Sequence, residues 1–376
     1  MRADPVPIAV VGYGRVAGAV HLPLLQRLTA DFRLAAIVES NEERARLASA
    51  HHPDVAIVPT LAAAAGAGAE AIICATPWPT HAEILAQALE LGLDALCEKP
   101  VSLDPDEIAD LADLQKRSAS RVVAGYMKRH DPAVQRFVAA VRKRTEELRS
   151  ITVTVVDPNN LHQVAHLLPP GIGLPDPATR SRGDEAASAI LGPIDPVLRT
   201  VFTHGLGGSL THHINLVRAA LAGSSWDLLG TLSHAEVWHG GAGIAVLWQP
   251  SPGFTVHMSH LRVPEHRRYR ETIQAVTDDS VLTLRLPSPY SRDEGGTLEI
   301  DSGDSEYLYR EEIRSPAGRT GFDCQLRAWA AYLRGHADGP LPGLDEAAAD
   351  LQVVMEVISH LRRTAVGARG LGVDVS

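Results

Sequence analysis

Short apolar runs alternate with helical stretches over the first 130 residues of the chain. Runs such as Ile8–Val11 and Ala71–Cys74 are continuously apolar, whereas His81–Leu91 and Pro105–Lys116 have the spacing of helices. Continuous runs are typical of parallel strands covered on both faces, and parallel neighbours need crossover connections. We therefore predict a doubly wound parallel α/β sheet over residues 1–130. The other predicted strands here are Leu34–Val38, Val55–Val58, Ala95–Cys97 and Val122–Ala124, and the other helices are Val16–Leu28 and Glu42–Ala50.

After Arg129 the pattern changes to short strands separated by turn residues. A connecting helix over Asp131–Arg142 and a strand over Ile151–Val156 come first, and two helices, 323–333 and 344–362, close the chain. This pattern predicts a second domain, residues 131–376, of α+β class with a large, mostly antiparallel sheet. Its other predicted strands are Ala235–Trp238, Ile244–Trp248, Phe254–Leu261, Glu271–Val276, Val281–Leu286, Thr297–Ile300 and Tyr307–Arg310.

Residues 157–196 form a proline- and glycine-rich insertion in this second domain. The segment holds seven prolines and shows no strand period. Such a stretch inside a compact domain is typical of a lid, a binding loop or an oligomer contact. A disordered surface insertion is the alternative, and the sequence leaves the choice open.

A glycine-rich loop between the first strand and the first helix carries the strongest motif. Gly12 permits a tight turn, Gly14 lets the backbone approach a pyrophosphate, and Ala17 is small enough for the helix to pack on the strand. The free amides at the start of the helix favour negative charge. This strand–turn–helix context predicts a dinucleotide site. The residues expected to contact the cofactor in this loop are Gly12, Tyr13, Gly14, Arg15 and Val16.

Glu39 follows the second strand, at a position where an acid can hold the hydroxyls of the adenosine ribose. A carboxylate there would repel a 2′-phosphate, so the sequence favours NAD over NADP. Ser40 and Arg44 lie close by in sequence and could accept a phosphate if Glu39 turned away. NADP therefore remains open as the cofactor.

Two further loops follow strands whose carboxyl ends should line the ligand crevice. Thr76 and Pro77 come after the fourth strand with His81 behind them, and Glu98 and Lys99 follow the fifth strand. We expect all five to lie at the cofactor. Because the chain has only four lysines, one at this position favours a catalytic role, in which a cation polarises a substrate hydroxyl or carbonyl. A solvent-facing His81 and a surface Lys99 are the alternatives.

These motifs, followed by the stretch Gly125–Pro132, resemble in order and spacing the Gfo/Idh/MocA oxidoreductases, which include glucose–fructose oxidoreductase and inositol 2-dehydrogenase. The resemblance covers the first 135 residues well and implies a Rossmann domain before an α+β domain whose open sheet forms homodimers or homotetramers. It implies hydride transfer between nicotinamide and the alcohol or ketone of a sugar, amino sugar, cyclitol or related polyol. The family's catalytic lysine maps onto Lys99 and its arginine onto Arg129, a candidate substrate contact.

The family's remaining signature is a helix with an aspartate four residues before a histidine and often another three residues after it. The candidate helix holds His212 and His213, either of which could be the general base. If His212 takes the role, Gly208 stands where the first aspartate is expected and Asn215 where the second is. Asn215 could orient the substrate but could not take up a proton.

Other histidines in the second half are candidate contacts of a polyol pocket. His162 and His204 are the two we assign to it, and His166 would share a helix face with His162. A metal site is the alternative reading of these residues. No acid or cysteine completes a recognisable ligand spacing with them, so we predict no metal.

Composition narrows the function further. A net charge of −10 argues against nucleic acid as a partner, and three widely spaced cysteines predict neither a disulfide framework nor a zinc knuckle. No segment predicts a signal peptide or a membrane span, so we expect a cytoplasmic protein. Two alternative functions stay open: a lyase or glycoside-cleaving enzyme that recycles NAD through a transient ketone, and a non-catalytic dinucleotide-binding regulatory protein.

Overall fold

The computed structural model describes residues 4–158, 160–172, 177–303, 306–337 and 339–370. The chain divides into two compact units. The first comprises Met1–Met127, Leu161–Ile190 and Phe322–Ala348, and the second comprises Lys128–Asn160, Leu191–Gly321 and Ala349–Ser376. This division differs from the boundary expected at residue 130, because it groups most of the insertion and the penultimate helix with the first unit.

A six-stranded parallel sheet forms the centre of the first unit, with the strand order β3-β2-β1-β4-β5-β6. The central strand is covered on both faces, since Ile8, Ala9 and Val10 are fully buried. The strands are β1 (Val6–Val11), β2 (Phe32–Val38), β3 (Ala56–Val58), β4 (Ala71–Cys74), β5 (Asp94–Cys97) and β6 (Val122–Ala124). The predicted doubly wound sheet is confirmed, and its strand ends bring the loops after β1, β2, β4 and β5 to one edge.

The helices in the described part of the chain are, in order, α1 (Leu22–Arg27), α2 (Glu42–His51), α3 (Leu61–Gly66), α4 (His81–Glu90), α5 (Pro105–Lys116), α6 (Pro132–Arg142), α7 (Asn160–Val164), α8 (Pro177–Leu191), α9 (Pro196–Thr200), α10 (Thr211–Leu221), α11 (Gly321–Leu333) and α12 (Leu344–Gly370). Local chemistry fixes several starts: the Asn41 side chain accepts the Arg44 amide at the start of α2, and Asp104 caps α5 ahead of Pro105. None of the described helices combines the length and apolar character that a bilayer span requires.

Two π-helical segments extend the helices beyond the sequence prediction. Ala17–His21 separates the glycine loop from α1, where the sequence predicts one continuous helix over Val16–Leu28. Val201–Leu210 leads directly into α10. A π-helical turn is frequent at functional sites, and here each one precedes or contains candidate site residues.

The second unit is built on an eight-stranded sheet with the order β14-β13-β12-β11-β7-β10-β9-β8. Its neighbours are antiparallel except β7 and β10, which run parallel. Buried and partly exposed residues alternate along β10 and β11, so one face packs on the core and the other does not. The strands are β7 (Leu148–Asp157), β8 (Leu232–Trp238), β9 (Gly243–Ser251), β10 (Phe254–Arg262), β11 (Arg270–Thr277), β12 (Ser280–Leu286), β13 (Thr297–Gly303) and β14 (Leu308–Arg314). The predicted α+β class is confirmed.

The insertion at 157–196 is more ordered than its composition suggests. Three helices, α7, α8 and the start of α9, lie within it, and α8 alone spans fifteen residues. Helix α3 was likewise not predicted, because its alanine-rich sequence shows no apolar periodicity. In both cases packing against the rest of the unit overrides weak local signals.

Candidate functional site

A cleft of about 630 Å³ in the first unit is the candidate cofactor site. Such a volume lies within the range typical of small-molecule and cofactor pockets. The glycine loop, the end of β2 and the loop after β4 line it, as the sequence predicts for a dinucleotide crevice. Its lining includes Gly12, Tyr13, Gly14, Arg15, Val16, Glu39, Ser40, Arg44, Thr76 and Pro77.

The two glycines of the loop have different spatial roles. Gly12 has a φ of +91°, and a Cβ there would lie 2.9 Å from the Thr76 methyl carbon, so both the turn and the close approach require glycine. A Cβ on Gly14 would meet no atom within 4 Å. Gly14 therefore faces open space, which a side chain would fill and which a diphosphate can occupy next to the start of the helix.

Tyr13 contributes its backbone to the cleft while its ring packs behind it. The phenol is fully buried and hydrogen-bonds His51 Nδ1 at 2.8 Å. Burial raises the pKa of Tyr13 to about 12, so the hydroxyl stays protonated near neutral pH. Its amide donates to Glu39 Oε2 at 2.9 Å, which ties the glycine loop to the end of β2.

Glu39 is held by backbone amides on both carboxylate oxygens. Tyr13 N–H donates to Oε2 and Asn41 N–H to Oε1, each at 2.9 Å. A carboxylate has further lone pairs, so these bonds orient it without using its full capacity to accept ribose hydroxyls. The residues of this cleft therefore fit an NAD-type dinucleotide: a glycine cradle for the phosphates and an oriented acid for the ribose.

His81 joins the two loops that follow β4 and β5. Its side chain is buried, and its ring nitrogens lie 2.8 Å from the carbonyl oxygens of Thr76 and Pro100. Carbonyl oxygens only accept, so a ring N–H is the group that can bond to each of them. The hydrogen bond from Cys97, helped by the His81 charge, lowers the pKa of Cys74 to about 6 against the effect of burial. His81 thus lies behind the cleft wall and positions both loops.

The same histidine bears on a possible metal site. The ligand atoms of Cys74, His81 and Cys97 lie within 4.8 Å of one another, and they are the one such group found among the described residues. Both His81 ring nitrogens already lie at hydrogen-bond distance from carbonyl oxygens, so neither is available to a metal ion. These three side chains instead form a buried polar contact beneath the two loops.

Glu98 and Lys99 follow β5, as predicted. Glu98 Oε1 pairs with the buried His21 Nε2 at 2.8 Å, so its carboxylate anchors the loop to the first helix. Lys99 is partly exposed and precedes Pro100 through a cis peptide bond. Sequence reasoning missed His21, although its place at the end of the helix after the glycine loop could have indicated a contact with the neighbouring strand end.

Helix α10 of the second unit holds both candidate bases, in different surroundings. His213 is fully buried, whereas His212 is 8% exposed to solvent. His213 Nε2 lies 2.8 Å from Glu271 Oε1, and Lys128 Nζ pairs with Glu271 Oε2 at 2.5 Å. Tyr269 also donates its hydroxyl to Glu271. We call Lys128, His213, Tyr269 and Glu271 the Glu271 cluster.

Charges in the Glu271 cluster compensate one another. Burial alone would raise the pKa of Glu271, but the Lys128 and His213 interactions outweigh it and hold that pKa well below its usual range. Burial, reinforced by the Lys128 charge, lowers the pKa of His213 in spite of Glu271. The cluster is therefore a carboxylate–ammonium pair to which a neutral imidazole donates through Nε2.

Asn215 and Arg129, both predicted substrate contacts, bond to each other. An Arg129 guanidinium nitrogen donates to Asn215 Oδ1 at 2.9 Å, and Asn215 Nδ2 donates to Asp350 at 2.8 Å. Arg218 pairs with the same Asp350 at 2.7 Å. Both ends of the Asn215 amide are therefore engaged in a network that ties α10 to α12.

His162 and His204 lie on the surface of separate units. His162 is exposed on α7 in the first unit, and His204 is exposed on the π-helical segment before α10 in the second. His204 Nδ1 hydrogen-bonds Thr203 Oγ1 at 2.8 Å. His166, which was expected to share a face with His162, is also exposed.

The glycine cleft has a counterpart among known families. Residues 6–126 match the Gfo/Idh/MocA model, described as an oxidoreductase family with an NAD-binding Rossmann fold. Over these residues the chain is similar to the Gfo/Idh/MocA family. Inositol 2-dehydrogenase of Streptomyces avermitilis is 36% identical over 126 residues, which make up 33% of this chain and 36% of that protein. The chain thus matches about a third of the length of such curated relatives.

Solved structures extend the likeness to the whole fold of this chain. A Gfo/Idh/MocA family oxidoreductase from Vibrio cholerae has a TM-score of 0.66 at 17% identity, covering 96% of this chain and 99% of the other. A 3-ketoreductase from Actinomadura kijaniata, in complex with NADP, also has a TM-score of 0.66 at 17% identity, covering 95% and 98%. The resemblance inferred from the sequence is confirmed for the first domain, and the fold for both.

Proposed function

We propose that this protein is an NAD-dependent oxidoreductase that transfers hydride between nicotinamide and a secondary alcohol or ketone of a sugar, amino sugar, cyclitol or related polyol. The observation that carries the proposal is the cleft in which Gly12, Gly14 and an amide-held Glu39 surround open space, with Lys99 in the loop after β5. The oxidoreductase family model that residues 6–126 match and the similarity to inositol 2-dehydrogenase support this class of reaction.

Lys99 is the residue that we propose to bind the reacting oxygen. Bound NAD would supply the hydride acceptor. An ammonium beside the substrate oxygen stabilises the alkoxide character that develops as hydride leaves. His81 and His21 hold the two loops on either side of this strand end, so the lysine projects from a backbone that is fixed by buried contacts.

On α10, we propose His212 as the general base. His213 is fully buried and its Nε2 is committed to Glu271, so taking a substrate proton would disrupt the Glu271 cluster. His212 lies on the same helix and keeps some exposure. Arg129, Asn215, His162 and His204 remain proposed substrate contacts, and for Arg129 and Asn215 the hydrogen bonds above favour positioning of α10.

The experiment is a substrate panel of cyclitols, aldoses and amino sugars with saturating NAD, followed by NADH absorbance, with the corresponding ketones and NADH for the reverse direction. We expect NADH to accumulate with at least one polyol. Product without net NADH would indicate the recycling lyase instead. Nucleotide binding without turnover on any member would indicate the regulatory protein.

The charge of Glu39 should set the choice between NAD and NADP. We expect Glu39→Gln to lower the ratio of the NADP Kd to the NAD Kd on the order of tenfold, because it removes the repulsion of a 2′-phosphate and keeps an oxygen acceptor. Titration calorimetry with both nucleotides measures the ratio. Glu42→Gln, on the exposed first turn of α2, is the matched control and should leave it unchanged. An unchanged ratio in Glu39→Gln would remove Glu39 as the determinant.

Assembly and location are proposals as well. We propose a homodimer or homotetramer formed through the open face of the eight-stranded sheet, where partly exposed residues alternate with buried ones along β10 and β11. Sedimentation velocity of the full chain tests it, and a monomer at micromolar concentration would contradict it. We propose a cytoplasmic location, where NAD and polyols are both present.

A further inference from the structure

The insertion contributes directly to the wall of the dinucleotide cleft. Gly171, Ile172 and Arg182, all from residues 161–190, line it together with the glycine loop and Glu39. The same stretch groups with the first unit by its contacts. These three residues are far in sequence from the glycine loop, so no local motif connects them with the cofactor.

Close packing fixes the insertion against the helix that begins at the glycine loop. A Cβ added at Gly18 would lie 3.0 Å from Ile172 Cδ1 and 3.1 Å from Pro169 Cδ. Such distances are shorter than ordinary van der Waals contact, so the insertion packs here only because residue 18 lacks a side chain. The lack of a side chain at Gly18 thus allows the insertion to pack. Gly12 instead allows the tight turn, and Gly14 leaves the space beside the loop open.

Two other glycines of the insertion lie close to other elements of the first unit. Gly171, at a φ of +85°, faces the Leu47 side chain of α2, and a Cβ there would lie 3.0 Å from a Leu47 methyl carbon. A Cβ at Gly183 would be 3.9 Å from the indole nitrogen of Trp78, just after the Thr76–Pro77 loop. Arg182 is therefore next in sequence to a residue that lies near the loop after β4.

The charge of the cleft favours an anion near Arg182. Arg15, Arg44 and Arg182 line it against Glu39 and Glu83. Backbone amides hold both carboxylate oxygens of Glu39. A guanidinium presents paired donors that match phosphate oxygens, and Gly14, which lines the same cleft, leaves open space.

We propose that Gly171, Ile172 and Arg182 of the insertion form part of the dinucleotide site, with Arg182 binding the diphosphate and Gly171 and Ile172 covering it. The proposal rests on dinucleotide binding by the first unit and identifies a determinant of that binding outside the glycine loop. Covering the phosphates with apolar atoms reduces water access and strengthens the Arg182 contact.

Titration calorimetry of the full chain with ADP-ribose and with adenosine tests the assignment. We expect Arg182→Ala to raise the Kd for ADP-ribose on the order of 10- to 100-fold, the cost of one charge-assisted hydrogen-bonded contact. The Kd of Arg182→Lys should lie between those of the unmodified protein and Arg182→Ala, because lysine keeps the charge and loses the paired donors. Adenosine, which has no phosphate, should bind Arg182→Ala and the unmodified protein equally.

Arg117→Ala is the matched control, since Arg117 is exposed in the same unit and does not line the cleft. Cleavage by trypsin after Arg182 gives a second measurement and should slow when ADP-ribose is bound to the unmodified protein. Unchanged ADP-ribose affinity in Arg182→Ala would overturn the proposal while leaving dinucleotide binding intact. An equal loss for adenosine would overturn the diphosphate assignment, and no ADP-ribose binding by the unmodified protein would remove the proposed function with it.

Discussion

Replacing Lys99 with methionine is expected to lower turnover by about two to three orders of magnitude while the Kd for NAD stays nearly constant. The magnitude is that of losing one preorganised donor at a developing oxyanion. Methionine keeps most of the length of the side chain and removes its charge, so the loop after β5 should keep the His81 and His21 contacts that fix it. Steady-state kinetics on the best polyol from the panel, with NAD affinity by calorimetry, separates the two effects.

Lys116→Met is the control for this prediction. Lys116 is 74% exposed and pairs with Asp113 on α5, away from the residues that line the cleft, so its loss should leave turnover unchanged. His212→Asn should share the Lys99 pattern, with low turnover and normal NAD affinity. A parallel fall of NAD affinity in the Lys99 variant would instead assign the lysine to cofactor binding.

The part of the cleft that the glycine loop, Glu39 and Thr76 line could be predicted because its signals are local, whereas His81, Glu98 and Lys99 were expected at the cofactor and are not among the lining residues. A glycine turn, a following helix and an acid after the next strand lie within a short stretch of chain, and their roles depend on backbone geometry that the residue types themselves require. Gly12, with its positive φ and its close approach to Thr76, illustrates this directly. The strand ends then bring Thr76 and Glu98 to the same edge without further information.

The rest could not be predicted because it depends on partners distant in sequence. Glu271 gives no signal on its own strand, yet it bonds residues 58 and 143 positions away. Lys128 could have been noticed, since lysine is scarce and this one lies in the Gly125–Pro132 motif. Arg182 lies in a segment whose prolines and glycines suggested a loop, and its place in the lining of the cleft depends on the folded chain rather than on any local motif.

The role of Asn215 could not be decided from its position in the sequence. If His212 takes the histidine position, Asn215 stands where the signature has its second aspartate, and its amide is bonded to Arg129 and Asp350. A carboxylate at this position would face Asp350 as a like charge, whereas an amide can donate to it. The asparagine therefore fits its neighbour Asp350, which no spacing rule connects with α10.

Glu271→Gln is expected to lower the free energy of unfolding by about 3 kcal/mol, the cost of leaving one partner of a buried ion pair without its counter-charge. Glu271 is fully buried and compensates Lys128, whose side chain is 7% exposed. It also accepts the His213 hydrogen bond, so its loss affects α10 directly. Denaturant titration followed by far-ultraviolet circular dichroism measures the change, provided that the unfolding of the two units is analysed as separate transitions.

The double variant Lys128→Met/Glu271→Gln distinguishes charge compensation from simple packing. It buries no unpaired charge, so it should be more stable than Glu271→Gln alone even though it carries one more substitution. Glu312→Gln, on the exposed pair with Arg314 of β14, should leave stability unchanged. If the losses from Lys128→Met and Glu271→Gln simply add in the double variant, the two residues do not stabilise each other. Additive losses are what independent sites show. The Glu271 cluster would then stabilise α10 through packing rather than through charge compensation.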